Sequence, residues 1–227
     1  MTETHSTPLR SYGRRQGRKL KTTQSELVKS LLPKLLITLP ANAPLYDAQK
    51  PLWFEIGFGG GEHLVEQARK HPHINFIGCE PYINGMAKLL AAIEKDKLSN
   101  IRLYDGDARS LLEALPDESI ERLFVLFPDP WPKARHNKRR LISQASLALF
   151  YQKLKAGGLL RIASDHEDYV QWILEQLMLF NKLKWTAQQH TDWEMPPADW
   201  VRTRYQAKAE AEGRAAVFLD WIKPLSQ

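Results

Sequence analysis

Five short stretches carry side chains able to do chemistry, and each follows an apolar run of strand length. The first is Glu55-Ile56-Gly57-Phe58-Gly59-Gly60-Gly61-Glu62. Glycines such as Gly57 and Gly59 allow a tight turn and a close backbone approach to a ligand. The run is close to the dinucleotide fingerprint G-x-G-x-x-G, but Glu62 stands where the third glycine belongs. An acid at a helix start opposes a pyrophosphate there. It suits a ligand without phosphate and with positive charge. Glu55 is the carboxylate nearest that loop, and its blander role is to cap a turn.

The second stretch is Cys79-Glu80-Pro81. A carboxylate in that place can accept from both hydroxyls of a nucleoside ribose, which fits NAD and S-adenosylmethionine equally. The third is Asp105-Gly106-Asp107-Ala108. Asp107 could accept from an adenine amino group, and Asp105 could equally be a turn former. The fourth, Phe127-Pro128-Asp129-Pro130-Trp131-Pro132-Lys133, is the most unusual. Its three prolines stiffen a loop holding an acid, an aromatic face and a cation. Those parts suit a base-binding site: stacking on Trp131, hydrogen-bond acceptance by Asp129 and phosphate pairing by Lys133. Asp165 is the fifth. Acids at successive strand ends carry more weight together than any one alone.

The positioning elements can be read around these stretches. Strands are expected at Leu52–Gly57, Asn75–Cys79, Ile101–Tyr104, Ile120–Phe127, Leu159–Ala163, Leu183–Gln188 and Ala216–Ile222. Helices are expected at Ser25–Leu39, with Pro33 as a kink, and at Glu62–Lys70, Ile83–Lys97, Ala108–Leu115, Lys138–Leu154 and Glu167–Asn181. Alternation of this kind predicts an α/β fold, a mostly parallel seven-stranded sheet with helices on both faces. In such a sheet the ligand lies beyond the carboxyl ends of the strands, where the five stretches fall. Residues 1–50 read as a basic arm and helix, and 51–227 as the catalytic domain. Residues 1–24 lack apolar periodicity and are expected to be disordered when free.

Charge is concentrated rather than spread. Arg10, Arg14, Arg15, Arg18, Lys19 and Lys21 form one acid-free cluster, and Lys133, Arg135, Lys138, Arg139 and Arg140 another. They hold 11 of the 32 basic residues, which leaves 21 against 26 acidic ones. A mildly acidic body with two positive patches points to a polyanion bound at defined places. One cysteine, Cys79, excludes an internal disulfide and a multi-cysteine zinc site. No apolar run is long enough to span a bilayer, and the polar start shows no signal peptide. A cytoplasmic protein that needs no metal is expected, as monomer or homodimer.

These residues resemble the bacterial tRNA (guanine-N7-)-methyltransferase family over nearly the whole chain, from Ser11 to about Trp221. The matching stretches are Ser11–Leu20, Glu55–Leu64, Asn100–Arg109, Leu126–Arg140 and Thr203–Arg214. The run PDPW-x-K-x-R-H-x-K-R-R is the most specific of them. The resemblance implies a Rossmann-like methyltransferase that uses S-adenosylmethionine and modifies the variable-loop guanosine, position 46, of tRNA. It implies that Glu55, Gly57, Gly59, Glu80, Asp107, Ala108 and Asp129 line the methyl-donor site, with Asp129 also catalytic. It implies substrate contacts from Lys133, Asp165, Thr203, Arg204, Tyr205 and Gln206. Arg135, His136, Asn137, Lys138, Arg139 and Arg140 would face the RNA. The family usually has Glu where this chain has Gln206, and glutamine keeps an acceptor oxygen but loses the charge.

Two other readings compete. An NAD-dependent oxidoreductase would want glycine at position 62 and a His or a Tyr–Lys pair beyond the fourth strand. A non-catalytic RNA-binding protein draws support from Gln206 alone. His71 and His73, beside Pro72, read as solvated loop residues rather than metal ligands. Trp193 and Trp200 read equally well as core or as base-stacking groups, and Cys79 as packed and inert.

Overall fold

The structure is a computed structural model that describes residues 15–41 and 44–225. Arg10, Arg14 and the start of the Ser11–Leu20 stretch lie outside the described residues. A seven-stranded sheet forms from β1 (Leu52–Ile56), β2 (Asn75–Cys79), β3 (Ile101–Tyr104), β4 (Ile120–Leu126), β5 (Leu154–Ser164), β6 (Lys184–Trp185) and β7 (Val217–Ile222). Its order is β3-β2-β1-β4-β5-β7-β6, and only the pairings of β7 are antiparallel. The chain winds outward from β1 to β3, then returns to place β4 against the other side of β1. That reversal leaves a crevice beyond the carboxyl ends of β1 and β4.

Strand alternation assigns side chains to two cores. Phe54, Leu123, Val125, Leu160 and Ile162 pack on one face with α5 (Ala108–Ala114), α6 (Gln144–Lys153) and α7 (Glu167–Phe180). Trp53, Phe124, Leu126 and Ala163 pack on the other with α3 (Glu62–Lys70) and α4 (Ile83–Asp96). Helix α1 (Thr22–Ser30) lies on α4, and α2 (Leu32–Leu35) leads into a bridge between Leu36 and Leu103 of β3. Two short helices, α8 (Thr191–Glu194) and α9 (Arg204–Ala211), follow β6. Among the described residues no helix is long and apolar enough to cross a membrane.

Several expected bounds shift for physical reasons. The first helix begins at Thr22, not Ser25, and divides at Leu31 because Pro33 cannot continue it. The expected helix Lys138–Leu154 begins only at Gln144. Ser143 caps it by accepting from the Ser146 amide, and residues Ala134–Arg139 form a 3-10 turn instead. Strand β5 starts at Leu154, earlier than expected, and β6 is two residues long. Residues 15–21, expected to be disordered, run along the start of α4: Ile83 N–H donates to the Arg15 carbonyl.

Candidate active site

Register brings the carboxyl ends of the strands together: Ile56 pairs with Cys79 and with Val125, and Cys79 with Tyr104. Beyond these ends lies a cavity of about 540 Å³. Gly57, Glu80, Asp107, Ala108 and Asp129 line it, with Trp131, Asn137, Lys138, Arg139 and Tyr205. The acids expected at three strand ends therefore share one space. Helix α4 crowds the glycine loop, since a Cβ on Gly85 would lie 2.1 Å from the Gly59 carbonyl oxygen. Gly59 itself, at φ +56°, packs under the Tyr205 ring.

Glu80 is nearly buried. One carboxylate oxygen accepts from Gly59 N–H at 2.7 Å and the other from Tyr82 N–H at 2.9 Å. Burial raises its pKa, opposed by those two bonds, and the nearby charge of Asp129 raises it further. Asp107 caps α5. Its two oxygens also accept from the Arg109 guanidinium at 2.9 and 2.7 Å. Burial pushes its pKa up, but the bonds from Arg109 outweigh this and hold it below the usual aspartate value. Asp105 is exposed and stays off the cavity wall.

Asp129 makes no side-chain hydrogen bond or ion pair among the described residues. Solvent reaches it through the cavity mouth, yet protein surrounds it closely enough that desolvation raises its pKa. Its loop is strained: Phe127 and Trp131 have φ of +52° and +45°, the left-handed region that bulky side chains avoid. The Trp131 ring meets the Arg139 guanidinium at 5.0 Å and the edge of His136 at 5.8 Å.

The remaining expected residues divide. Glu55 is not on the cavity wall, because strand parity puts it on the face of Trp53 and α3. There it meets His63 Nδ1 at 2.7 Å, both side chains buried. Arg140, expected to face RNA, is turned inward. Its Nε–H donates to the Pro130 carbonyl at 2.9 Å, and its guanidinium lies 5.1 Å from both the Tyr169 and Trp172 rings. Lys133, Arg135 and Lys138 are exposed beside the mouth, and His136 is half-buried on Trp131. Asp165 accepts from Arg214 Nε–H at 2.7 Å. Thr203 caps α9, and Arg204 lies 3.7 Å from Glu62. Gln206 is buried, accepting from Trp200 Nε1–H at 2.6 Å and donating to Glu210 at 2.9 Å. Trp200 packs on His63 and Phe218, and Trp193 packs at the edge of the other core. Cys79 is buried, which raises its thiol pKa strongly. Among the described residues no group of three or more His, Cys, Asp or Glu could hold a metal ion.

Sequence reading missed His63, Asn84, Gly85, Arg109 and Arg214. His63, Arg109 and Arg214 lay within quoted stretches; Arg109 meets Asp107 only two residues away, whereas folding brings His63 to Glu55 and Arg214 to Asp165.

Residues 49–219 match a protein family described as "Putative methyltransferase". A tRNA (guanine-N(7)-)-methyltransferase of Agrobacterium fabrum is 45% identical over 218 residues, covering 93% of this chain and 94% of that protein. One from Brucella anthropi is 45% identical over 233 residues, covering 98% and 100%. Among solved structures, the 16S rRNA methyltransferase KamB superposes with a TM-score of 0.57 at 17% identity, over 79% of this chain and 89% of that one. The [4+2]-cyclase SpnF reaches 0.53 at 15% identity, over 78% and 76%. Since a cyclase shares the fold, the likeness in shape identifies the Rossmann-like methyltransferase architecture and not a reaction. The similarity in sequence goes further: this chain belongs to the tRNA (guanine-N(7)-)-methyltransferase family.

Proposed function

We propose that the protein transfers a methyl group from S-adenosylmethionine to N7 of guanosine in tRNA, at position 46 of the variable loop. The observation that carries this reading is one cavity with a floor of carboxylates and a mouth of cations. Glu80 and Asp129 suit a ligand that carries a sulfonium and an ammonium. The glycine loop leaves room for close approach, and Glu62 at the start of α3, near Arg204, leaves no helix terminus for a pyrophosphate. These features fit S-adenosylmethionine better than NAD.

When bound, S-adenosylmethionine supplies an activated methyl group. Glu80 would hold the ribose hydroxyls through the lone pairs its backbone bonds leave free. Asp107 and Ala108 would border the adenine, and Gly57 and Gly59 the methionine end. Guanine N7 has an in-plane lone pair, so no base has to remove a proton. The protein's task is alignment. As N7 gains its substituent the ring becomes cationic, and its N1–H and N2–H become stronger donors. An ionised Asp129 accepting from them stabilises that charge more than it stabilises neutral guanine. Tyr205 stands over the glycine loop to limit water. Lys133, Arg135 and Lys138 would pair with tRNA phosphates, and Asp165 lies at the rim with Arg214.

Gln206, the one feature that favoured a non-catalytic reading, is turned away from the cavity. The test is methyl transfer to unmodified tRNA transcripts with labelled S-adenosylmethionine. Label is expected as N7-methylguanosine at position 46, and label elsewhere or none would refute the function.

A further inference from the structure

Residues 15–21, just before α1, are built onto the protein rather than hung from it. Asn84, the second residue of α4, clamps it from both sides. Its Oδ1 accepts from Gly17 N–H at 2.8 Å, and its Nδ2–H donates to the Arg18 carbonyl at 2.6 Å. The Ile83 amide adds a third bond, 3.0 Å, to the Arg15 carbonyl. Gly17 passes so close to Tyr82 that a Cβ there would lie 2.1 Å from the phenol oxygen. Tyr82 lines the cavity, and its amide holds Glu80. The clamp consumes backbone groups only, so the side chains of Arg15, Arg18 and Lys19 stay exposed. Their segment lies at the start of α4, which follows β2, whereas Lys133, Arg135 and Lys138 lie on the loop that follows β4.

We propose that Asn84 is a positioning residue for tRNA, fixing a second phosphate-binding rim so that the RNA straddles the cavity between two basic edges. This rests on the tRNA methyltransferase reading. A single basic edge would let RNA pivot about it, whereas two edges on opposite sides fix which nucleotide lies over Asp129. A free arm would pay ordering entropy on binding, and a clamped one has paid it on folding.

The test is tRNA binding by the full chain, measured against salt. Three phosphate contacts on the rim predict that the slope of log K against log salt shrinks by about 2–3 in Asn84→Ala, with affinity at low salt falling about tenfold or more. S-adenosylhomocysteine affinity should stay near wild type, which shows that the fold and donor site are intact. The triple variant Arg15→Ala, Arg18→Ala, Lys19→Ala should show the same loss, and adding Asn84→Ala to it should change little more. An unchanged slope in Asn84→Ala, or losses that add in the combined variant, would overturn the proposal. Absence of any methyl transfer by the wild-type chain would instead refute the function on which it rests.

Discussion

Arg140 separates two accounts of the basic strip, and its replacement by alanine has a calculable effect. The inward guanidinium supplies one charged hydrogen bond to the Pro130 carbonyl, which contributes about 1.5–3 kcal/mol. Contacts with the Tyr169 and Trp172 rings add about 0.5–1 kcal/mol each. The loop it holds carries two positive-φ residues, Phe127 and Trp131, that cost about 1–3 kcal/mol each. Support and strain are of one size, so removing about 3 kcal/mol of support lets the loop relax. At 1.4 kcal/mol per tenfold, the conformation that aims Asp129 becomes about 100-fold less populated. Turnover of tRNA should fall by about that factor in single-turnover assays with saturating RNA. Arg140→Lys, which keeps one donor but loses the planar fork, should fall between. The salt slope of tRNA binding should not change, because no phosphate contact is lost. Near-normal turnover with a slope smaller by about one would show that Arg140 meets a phosphate after all, and would refute the scaffold argument.

Two further perturbations test the cavity itself. Asp129→Asn should lower methyl transfer about tenfold or more. Because desolvation by the surrounding cavity wall raises the pKa of Asp129 above its unfolded value, folding favours the protonated form more than the unfolded chain does. Its contribution is present at low pH and lost as pH rises through that raised pKa, so the ionised group destabilises the protein at neutral pH. The variant should therefore melt slightly higher than wild type at pH 7, the effect being reduced by solvent at the cavity mouth, with the gap closing below about pH 4; a lower melting temperature at pH 7 would contradict the desolvation argument. Gly85→Ala sets helix propensity against sterics. Propensity alone would stabilise α4 by about 1 kcal/mol, but the new Cβ would lie 2.1 Å from a backbone oxygen that cannot step aside. S-adenosylhomocysteine affinity by calorimetry should drop about tenfold or more as the glycine loop is displaced, and unchanged binding in a more stable protein would show the loop yields freely.

The parts legible in the sequence were those set by local pattern. Short apolar runs bounded by turn residues placed five of the seven strands closely, and the rule that ligands sit beyond parallel strand ends brought Glu80, Asp107 and Asp129 together. Glu55 shows the limit of that rule. Being near the end of β1 was legible, but its side of the strand was not used, and parity sends it to His63. The helix expected from Lys138 failed differently. Residues Lys138–Arg140 have ordinary helix propensity, yet the Arg140 contacts with Pro130, Tyr169 and Trp172 curl that segment back under the proline loop, so the helix waits for Ser143. Pairings such as Asp165 with Arg214 join residues 49 apart, and no local signal announces them.

A cationic methyl donor calls for acids, while a polyanionic RNA calls for bases, and the two sets stand within reach of each other across one cavity. Within a Debye length of about 8 Å they would partly cancel if mixed. The fold keeps them in layers: Glu80 and Asp107 sit low at strand ends, whereas Arg15, Arg18, Lys133 and Arg135 sit on exposed tips. Asp107 is already matched by Arg109, so among the described residues the carboxylate charge of the cavity wall that no salt bridge pairs falls on Glu80 and Asp129. Gln206 follows the same economy of charge. A glutamate there would place a second carboxylate against Glu210, where the Gln206 amide now donates at 2.9 Å. With Trp200 bonded to its oxygen, glutamine satisfies both neighbours and holds α9 so that Tyr205 faces the glycine loop. The charge that the family resemblance led us to expect at this position is thus replaced by a neutral bridge that fits its surroundings, and the negative field of the cavity stays with the residues that line it.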